Sequence, residues 1–460
     1  MEICGNLLDD NNDGRIDEPY PGGVESDMQL WLNAETGTNT TTNGNDVISW
    51  TDQSTNGYSA NSSVNATDYP IYSTNAINFN PGIEFDGDYT DDFSDGLNLG
   101  SDYIYSSNEG MHVFVVCDPN VDGEQQNYVF DFGRNTVSGY GLNYSNSFLG
   151  SYSPSSQRHL SHSFGEEAAL LELAIDFDDF RREIRNGSVF STDPISLSQI
   201  TASNINEAND YQTGVQNVNG PVSIGRKSAS DAIVSNGGKI FNGAISEVIV
   251  YNDTLSQIEI EKINTYLAVK YGIVLPHDYV SSTGTNLKSM SDGYATNVVG
   301  IGRDDCSALD QRQSKSVKSE GIVTLSLGAI AATNQSNFNA FTQDDSYLIL
   351  GNDDASVDSW NLISGVATPT YRISRTWKMN KTNFNRTTRF TIDVDDPDLD
   401  IATIPANAVG DYKIMFDDDD DFTNGGSAAV SLTNASGSLY HVDLNPVSYT
   451  HLTLPTILLV

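Results

Sequence analysis

The chain has 460 residues, with 23 Lys and Arg against 62 Asp and Glu, a formal charge of −39. Only 18% of residues are charged, so the imbalance comes from missing bases, and such a surface repels nucleic-acid phosphates and anionic lipid headgroups. A hydrophobic fraction of 38%, with 22 Tyr, 18 Phe and 4 Trp, supplies real cores and excludes global disorder, while the length predicts two or three domains.

The first element is the acidic stretch DDNNDGRIDE at residues 9–18. Asp9, Asn11, Asp13, Gly14 and Asp17 match the front of a calcium loop, where short oxygen side chains at alternate positions converge on a hard cation. Gly14 permits the sharp turn and the carbonyl of Arg15 would add a ligand. An EF-hand requires Glu at the twelfth position, which here is Tyr20. The expectation is a structural Ca2+ bound by Asp9, Asn11, Asp13, Arg15 and Asp17, against the alternative of a solvated acidic turn. Ahead of this stretch there is no basic region and no apolar core of a signal peptide. Low Lys, acidity and Asn/Thr/Ser/Gly-rich turns nevertheless describe an exported protein, so an extracellular or cell-surface location is expected, with the leader missing from this chain. No run of 18 apolar residues exists, so no membrane span is predicted.

From Val24 to Leu275, short apolar runs alternate with turn clusters, the pattern of an all-β sandwich. MQLWLNAE, DVISWTDQS, GIEFDGD, HVFVVCD, YVFDFG, LLELAIDF, REIRNGSVF, VSIGR and GAISEVIVYN read as strands. Asn186-Gly187 signals a two-residue hairpin. Cys117, inside HVFVVCD, reads as a buried small hydrophobe. One helix follows in SQIEIEKINTYLAVKYGI. Ser256 and Glu259 form a capping box, Ile260, Ile263, Leu267 and Tyr271 share a stripe, and Gly272 is the stop signal. The helix is expected to pack on the edge of the sandwich it follows.

LWLNAE, ISWTDQS, GIEFDGD, HVFVV, the Asn-Gly hairpin and above all FNGAISEVIVYNDTLSQIEIEKINTYLAVKYGI resemble the laminin-G-like, concanavalin A-like jelly roll, in particular its bacterial branch ending in Y-L-A-x-K-Y-G-I. The resemblance covers about 250 residues. It implies two packed antiparallel sheets, a fold that hosts lectins, adhesins, spacers and glycoside hydrolases alike. The N-terminal stretch resembles the acidic repeats of extracellular bacterial proteins. Many of those carry a second Cys where this chain has Asn12, which puts a local disulfide from Cys4 in doubt.

Residues 276–446 read as a second β-sandwich, with strands NVVGIGR, GIVTLSL, SYLILGND, SRTWKMN, TRFTIDVD and DYKIMFD. Phe390, Ile392 and Val394 of TRFTIDVD face one way and Thr391, Asp393 and Asp395 the other. GIGRDDCSALDQRQSKSVKSEGIVTLSLG and SYLILGNDD…RISRTWKMN resemble a domain of unknown function that follows such jelly rolls in large bacterial surface proteins, often ahead of a sorting domain for type IX secretion. From Val447 the composition changes. Val447–Thr456 back-translates into a sequence that resembles a transposon end and sequencing adapter, so residues 447–460 are expected to be adapter-derived rather than natural.

Chemistry is sparse. Glycosidases of this fold place paired carboxylates as E-x-D-x-x-E in one cleft. Glu172 and Asp176 share a strand face but lack the third acid, and Glu247 stands alone, so all three are expected to be solvated. His159 and His162 have no adjacent acid, and no nucleophile or P-loop motif occurs. Asp417–Asp421, Asp353-Asp354 and Asp86 are further calcium candidates, the runs more simply read as solvated turns. Trp31, Trp50, Trp360 and Trp377 sit in strands, where a core role outweighs sugar stacking. The reading is an exported, calcium-stabilised binding or adhesion protein that contacts glycan or protein, without catalysis, without nucleic acid and of undetermined oligomeric state. The alternatives are a glycoside hydrolase with atypical carboxylates and a structural stalk.

Overall fold

The computed structural model describes residues 18–62, 69–87, 96–99, 110–120, 127–135, 138–145, 148–153, 156–161, 167–176, 180–194, 222–226, 241–363, 370–399, 412–417, 430–445, 451–453 and 457–458. Among the described residues the chain is all-β apart from one α-helix and short 3-10 turns, and it divides into two compact units.

The first unit is Glu25–Gln257. Strands Met28–Asn33 (β1), Gly110–Pro119 (β2), Ala169–Asp176 (β3) and Asn242–Tyr251 (β4) belong to one eight-stranded antiparallel sheet. Its order is Ser188–Pro194, Phe180–Arg185, β3, β2, β4, Asn80–Asp86, Ile71–Ile77, with β1 also paired to β4. The second eight-stranded sheet runs Ser156–Ser161, Phe148–Ser153, Ser138–Ser145, Asn127–Asn135, Val222–Ile224, Leu97–Leu99, Ser59–Ser62, Ser49–Thr51. Between them lies one core. Leu30, Leu32, Val113, Val115, Leu171 and Val248 of the first sheet meet Trp50, Leu97, Val129 and Ile224 of the second, all essentially inaccessible. Every strand segment expected from alternation in this region is a strand. Asn186 and Gly187, both at positive φ (49° and 77°), make the tight turn that pairs Arg185 with Ser188. Cys117 is a free, buried thiol whose ionisation burial pushes up, as its apolar run implies.

The second unit is Met1–Val24 with Ile258–Val460. Its helix, Gln257–Tyr271 (α1), begins one residue after Ser256. It ends at Gly272 (φ 69°), where the Ile273 amide donates to the Ala268 carbonyl at 3.1 Å and satisfies one of the last-turn carbonyls. The division of the chain puts α1 with the residues that follow it. Thr265 Oγ1 accepts from the Val280 amide at 2.9 Å, and the Gly272 carbonyl accepts from Val317 at 3.0 Å. Gly22 (φ 66°) lies so close to α1 that a Cβ would sit 2.6 Å from the Ile263 nitrogen. The N-terminal segment is thereby laid on the helix at a point only glycine fits.

Strands Thr296–Asp304 (β5), Ser346–Asn352 (β6), Thr376–Thr382 (β7), Lys413–Asp417 (β8) and His451–Thr453 (β9) form most of a seven-stranded sheet. A five-stranded sheet ordered Gln313–Lys315, Val323–Ser326, Thr388–Asp393, Leu439–Leu444, Thr433–Ser436 faces it. Ile301, Leu348, Leu350, Trp377 and Phe416 on one side pack with Leu325, Phe390, Ile392 and Val442 on the other. This is the second sandwich, and Phe390 and Ile392 point inward as their alternation requires.

The tail takes a place in that sheet. β9 pairs with both β7 and β8, through Trp377↔Leu452 and Phe416↔Leu452. An adapter-derived tail predicts that a chain ending at Pro446 melts at the temperature of the full chain. A melting temperature lower by several degrees would make β9 an integral strand.

Candidate functional site

The densest polar chemistry among the described residues of the first unit lies on the face of the β1–β4 sheet opposite the core. Alternation along β2 sends Met111, Val113, Val115 and Cys117 inward and leaves His112, Phe114 and Val116 on that other face. Glu172 of β3 stands beside Phe114 in register. In β4 a bulge between Ile245 and Glu247 inserts Ser246, so Ile245 and Val248 both face the core and Glu247 is turned to the opposite face.

Two of the three carboxylates expected to be solvated are buried, Glu172 at 0% and Glu247 at 1% exposure. Glu172 Oε2 lies 3.4 Å from His112 Nε2, and His112 is itself only 1% exposed. The imidazole stacks on Phe114, with centroids 4.3 Å apart and planes 3° from parallel. Phe114 in turn meets Tyr251 edge-on at 6.2 Å. Glu172 Oε1 is buried with no hydrogen-bond partner. Glu247 Oε1 accepts the Trp31 indole N–H at 2.7 Å.

A glycosidase dyad needs its carboxyls about 5–10 Å apart across a cleft that admits a sugar. Here β2 lies between the two strands, the residues are offset by two positions, and both side chains are buried rather than lining an open cleft. One carboxylate is already bonded to an indole. The arrangement supplies a buried carboxylate–imidazole pair and an anchored tryptophan, and no open acid/base pair. Of the four tryptophans, Trp50 (0%) and Trp377 (2%) are core, Trp31 (6%) bonds Glu247, and Trp360 packs partly buried against the second core.

The second unit gathers carboxylates at a corner beside Cys306. Asp304, 1% exposed, accepts from the Ser282 amide (2.9 Å) and hydroxyl (2.7 Å), the Ser307 amide (3.1 Å) and the Tyr347 hydroxyl (2.7 Å). The bond from the Ser307 amide caps the 3-10 turn Asp305–Ser307. Burial first, and then Asp304 beside it, push the Tyr347 phenol well above its ordinary value. Burial and the neighbouring Asp304 and Asp344 likewise raise Asp345. Arg303 bonds Asp305 at 2.7 Å, and Asp344 accepts the amides of Asp305 and Asp345 at 2.8 Å each. Asp304 and Asp344 act here as turn caps, while Asp345 Oδ1 is buried without a hydrogen-bond partner. Among the described residues no group of three or more His, Cys, Asp or Glu is placed to hold a metal ion.

Asp353, expected as a solvated turn or calcium ligand, instead fastens the next strand: it accepts the Thr376 amide (3.0 Å) and hydroxyl (2.6 Å). Asp86 is exposed at the end of Asn80–Asp86, and Asp417 is buried at the end of β8. The proposed calcium ligands Asp9, Asn11, Asp13, Arg15 and Asp17 lie outside the described residues, as do Asp418–Asp421, His162 and the side chains of His159 and Asp176.

Cys306 is disulfide-bonded. Its carbonyl accepts the Tyr20 amide at 3.1 Å, which ties the 3-10 turn Pro21–Gly23 to the turn Asp305–Ser307. Spacing carried no sign of this bond, because a residue so late in the chain has no cysteine near it in sequence. His112 likewise passed unnoticed, as one residue of an apolar strand.

Residues 259–448 match the model of a domain of unknown function, DUF8202. The segments GIGRDDCSALDQRQ and SYLILGNDD lie within this match. No curated protein matches the chain. Among solved structures, the binding domain of botulinum neurotoxin serotype D/C is 12% identical over 94% of each chain, with a TM-score of 0.35. The binding domain of botulinum neurotoxin DC in complex with rat synaptotagmin II is 12% identical over 94% of this chain and 95% of that one, with a TM-score of 0.35. Domain 4 of AbnA, a GH43 extracellular arabinanase from Geobacillus stearothermophilus, in complex with arabinotriose, is 13% identical over 53% of this chain and 99% of that one, at 0.34. At these values they assign no residue and no ligand to this chain. No helix among the described residues is long and apolar enough to cross a membrane.

Proposed function

We propose that this chain is an exported binding protein whose two β-sandwich modules contact glycan or protein ligands and perform no chemistry. The observation that carries the reading is the disulfide at Cys306. Disulfides persist in oxidising compartments and are rare in reducing ones, so the bond supports an extracellular or cell-surface location. Cys117 is the free thiol, which makes Cys4 the inferred partner among the three cysteines of the sequence. Commitment of the carboxylates supports a non-catalytic role: Glu247 is held by Trp31, Asp304 by four donors and Asp353 by Thr376.

The laminin-G-like assignment of the first module and the Ca2+ at Asp9, Asn11, Asp13, Arg15 and Asp17 belong to the same proposal. The full chain on a glycan array and in pull-downs from surface extracts, each with and without chelator, tests it. Binding that weakens on chelation is expected. Silence in every arm would leave a structural stalk. A second reading, a glycoside hydrolase, has one observation in its favour, the unpartnered Oε1 of Glu172 beside His112. Hydrolysis of any member of a polysaccharide panel, lost in Glu172→Gln, would establish it.

A further inference from the structure

Phe338 is 90% exposed, while the next large apolar side chain among those described, Leu362, reaches 59%. A phenyl ring so fully in water usually belongs to a loop that can fold it away. This loop cannot. Asn337, 1% exposed, donates from Nδ2 to Gln313 Oε1 (3.2 Å) and the Leu327 carbonyl (3.1 Å). Its own carbonyl accepts Arg312 Nη1 at 2.8 Å. On the other side, Asn339 Nδ2 donates to the Leu327 carbonyl (2.7 Å) and to Asn337 Oδ1 (2.8 Å). Upstream, Asn334, 4% exposed, accepts the Arg312 amide at 2.7 Å and donates to the Asp310 carbonyl at 2.9 Å. Downstream, Phe341 is core and meets Phe384 edge-on at 6.1 Å. Buried Asn334 and Asn337 on one side, and half-buried Asn339 with core Phe341 on the other, clamp the backbone, so the ring is presented outward in one place.

The surroundings of this ring define what it suits. No Asp, Glu, Lys, Arg or His occurs between Gly321 and Gln343, in a chain of formal charge −39. The exposed neighbours Gln335, Ser336, Thr342 and Gln343 carry amides and hydroxyls, which both donate and accept. Anionic lipid surfaces and nucleic acids are drawn by unpaired Lys and Arg; the loop has neither, and Arg312, which reaches the Asn337 carbonyl beside the ring, is already paired with Asp310. A protein hot spot is an aromatic anchor within a wider apolar patch, whereas the other exposed apolar side chains between Gly321 and Gln343 are only the methyls of Ala329, Ala332 and Ala340. An uncharged sugar fits both parts. Its C–H face stacks on the electron-rich ring face, and its hydroxyls find the amides and hydroxyls around it.

We propose that Phe338 is the stacking platform of a neutral-saccharide subsite on the second module. This deepens the binding reading above and does not depend on the first module. The test compares the full chain with Phe338→Ala and Phe338→Trp, using a panel of neutral gluco-, xylo-, manno-, galacto- and arabino-oligosaccharides, and phosphatidylcholine vesicles in parallel. The expected result is binding of at least one oligosaccharide that falls tenfold or more in Phe338→Ala and is kept in Phe338→Trp, with melting temperatures unchanged because the side chain buries nothing. Saccharide binding that is equal in wild type and Phe338→Ala overturns the subsite and leaves the general reading standing. Absence of neutral-saccharide binding, or Phe338-dependent binding to vesicles only, overturns the saccharide assignment. Protein or charged-glycan ligands found in the array and pull-downs would still carry the general reading.

Discussion

Replacing His112 with alanine is expected to destabilise the first sandwich by about 3–5 kcal/mol, the usual cost of removing one partner of a buried pair. Glu172 is fully buried and one of its oxygens is already without a partner, so the loss of the imidazole strands the carboxylate entirely. The ring stacked on Phe114 goes with it and leaves a void in a packed face. Urea unfolding followed by tryptophan fluorescence reports this unit through Trp31 and Trp50 when Trp360 and Trp377 of the second unit are replaced by phenylalanine in both proteins compared. The double replacement His112→Phe with Glu172→Leu should recover most of the loss, since an apolar pair of similar volume needs no desolvation of charge. A loss below about 1 kcal/mol in the single variant would mean that water reaches Glu172.

Breaking the disulfide is expected to cost the second unit about 2–5 kcal/mol, because a bond that closes a long loop restricts the unfolded chain most. The closure from Cys4 to Cys306 would span nearly two-thirds of the chain. Cys306→Ser should lower the melting temperature of the oxidised protein and abolish its response to reductant. Thiol counting separates the possible pairings. Buried Cys117 should be silent in the native protein, one thiol per chain should react in denaturant, and all three after reduction. Two or more reactive thiols in unreduced, denatured protein would remove the bond.

Local signals were read from sequence with little loss. The strands named from alternation, the Asn186-Gly187 hairpin, the helix stopped at Gly272 and the burial of Cys117 each depend on residues within a few positions of one another. Period-two alternation and turn chemistry suffice for these. Strands such as Ile71–Ile77, Ser138–Ser145 and Leu439–Leu444 are not among those named. The candidate site was less legible. Glu172 and Glu247 looked like solvated carboxylates because alternation tells only that a residue faces away from the core, not whether that second face is covered. Asp353 looked like a free turn because its partner, Thr376, lies 23 residues away.

By itself, then, the sequence determined the all-β class, the two modules in their order and the shortage of catalytic motifs. Only the tertiary structure decided that His112 meets Glu172 across neighbouring strands and that a bulge at Ser246 turns Glu247 toward Trp31. The same holds for the bond that Cys306 makes and for the clamped loop that lifts Phe338 into water. The physical reason is common to all of them. Register, bulges and side-chain partners are set by contacts between residues tens to hundreds of positions apart, and a pattern of neighbours along one strand carries no information about them.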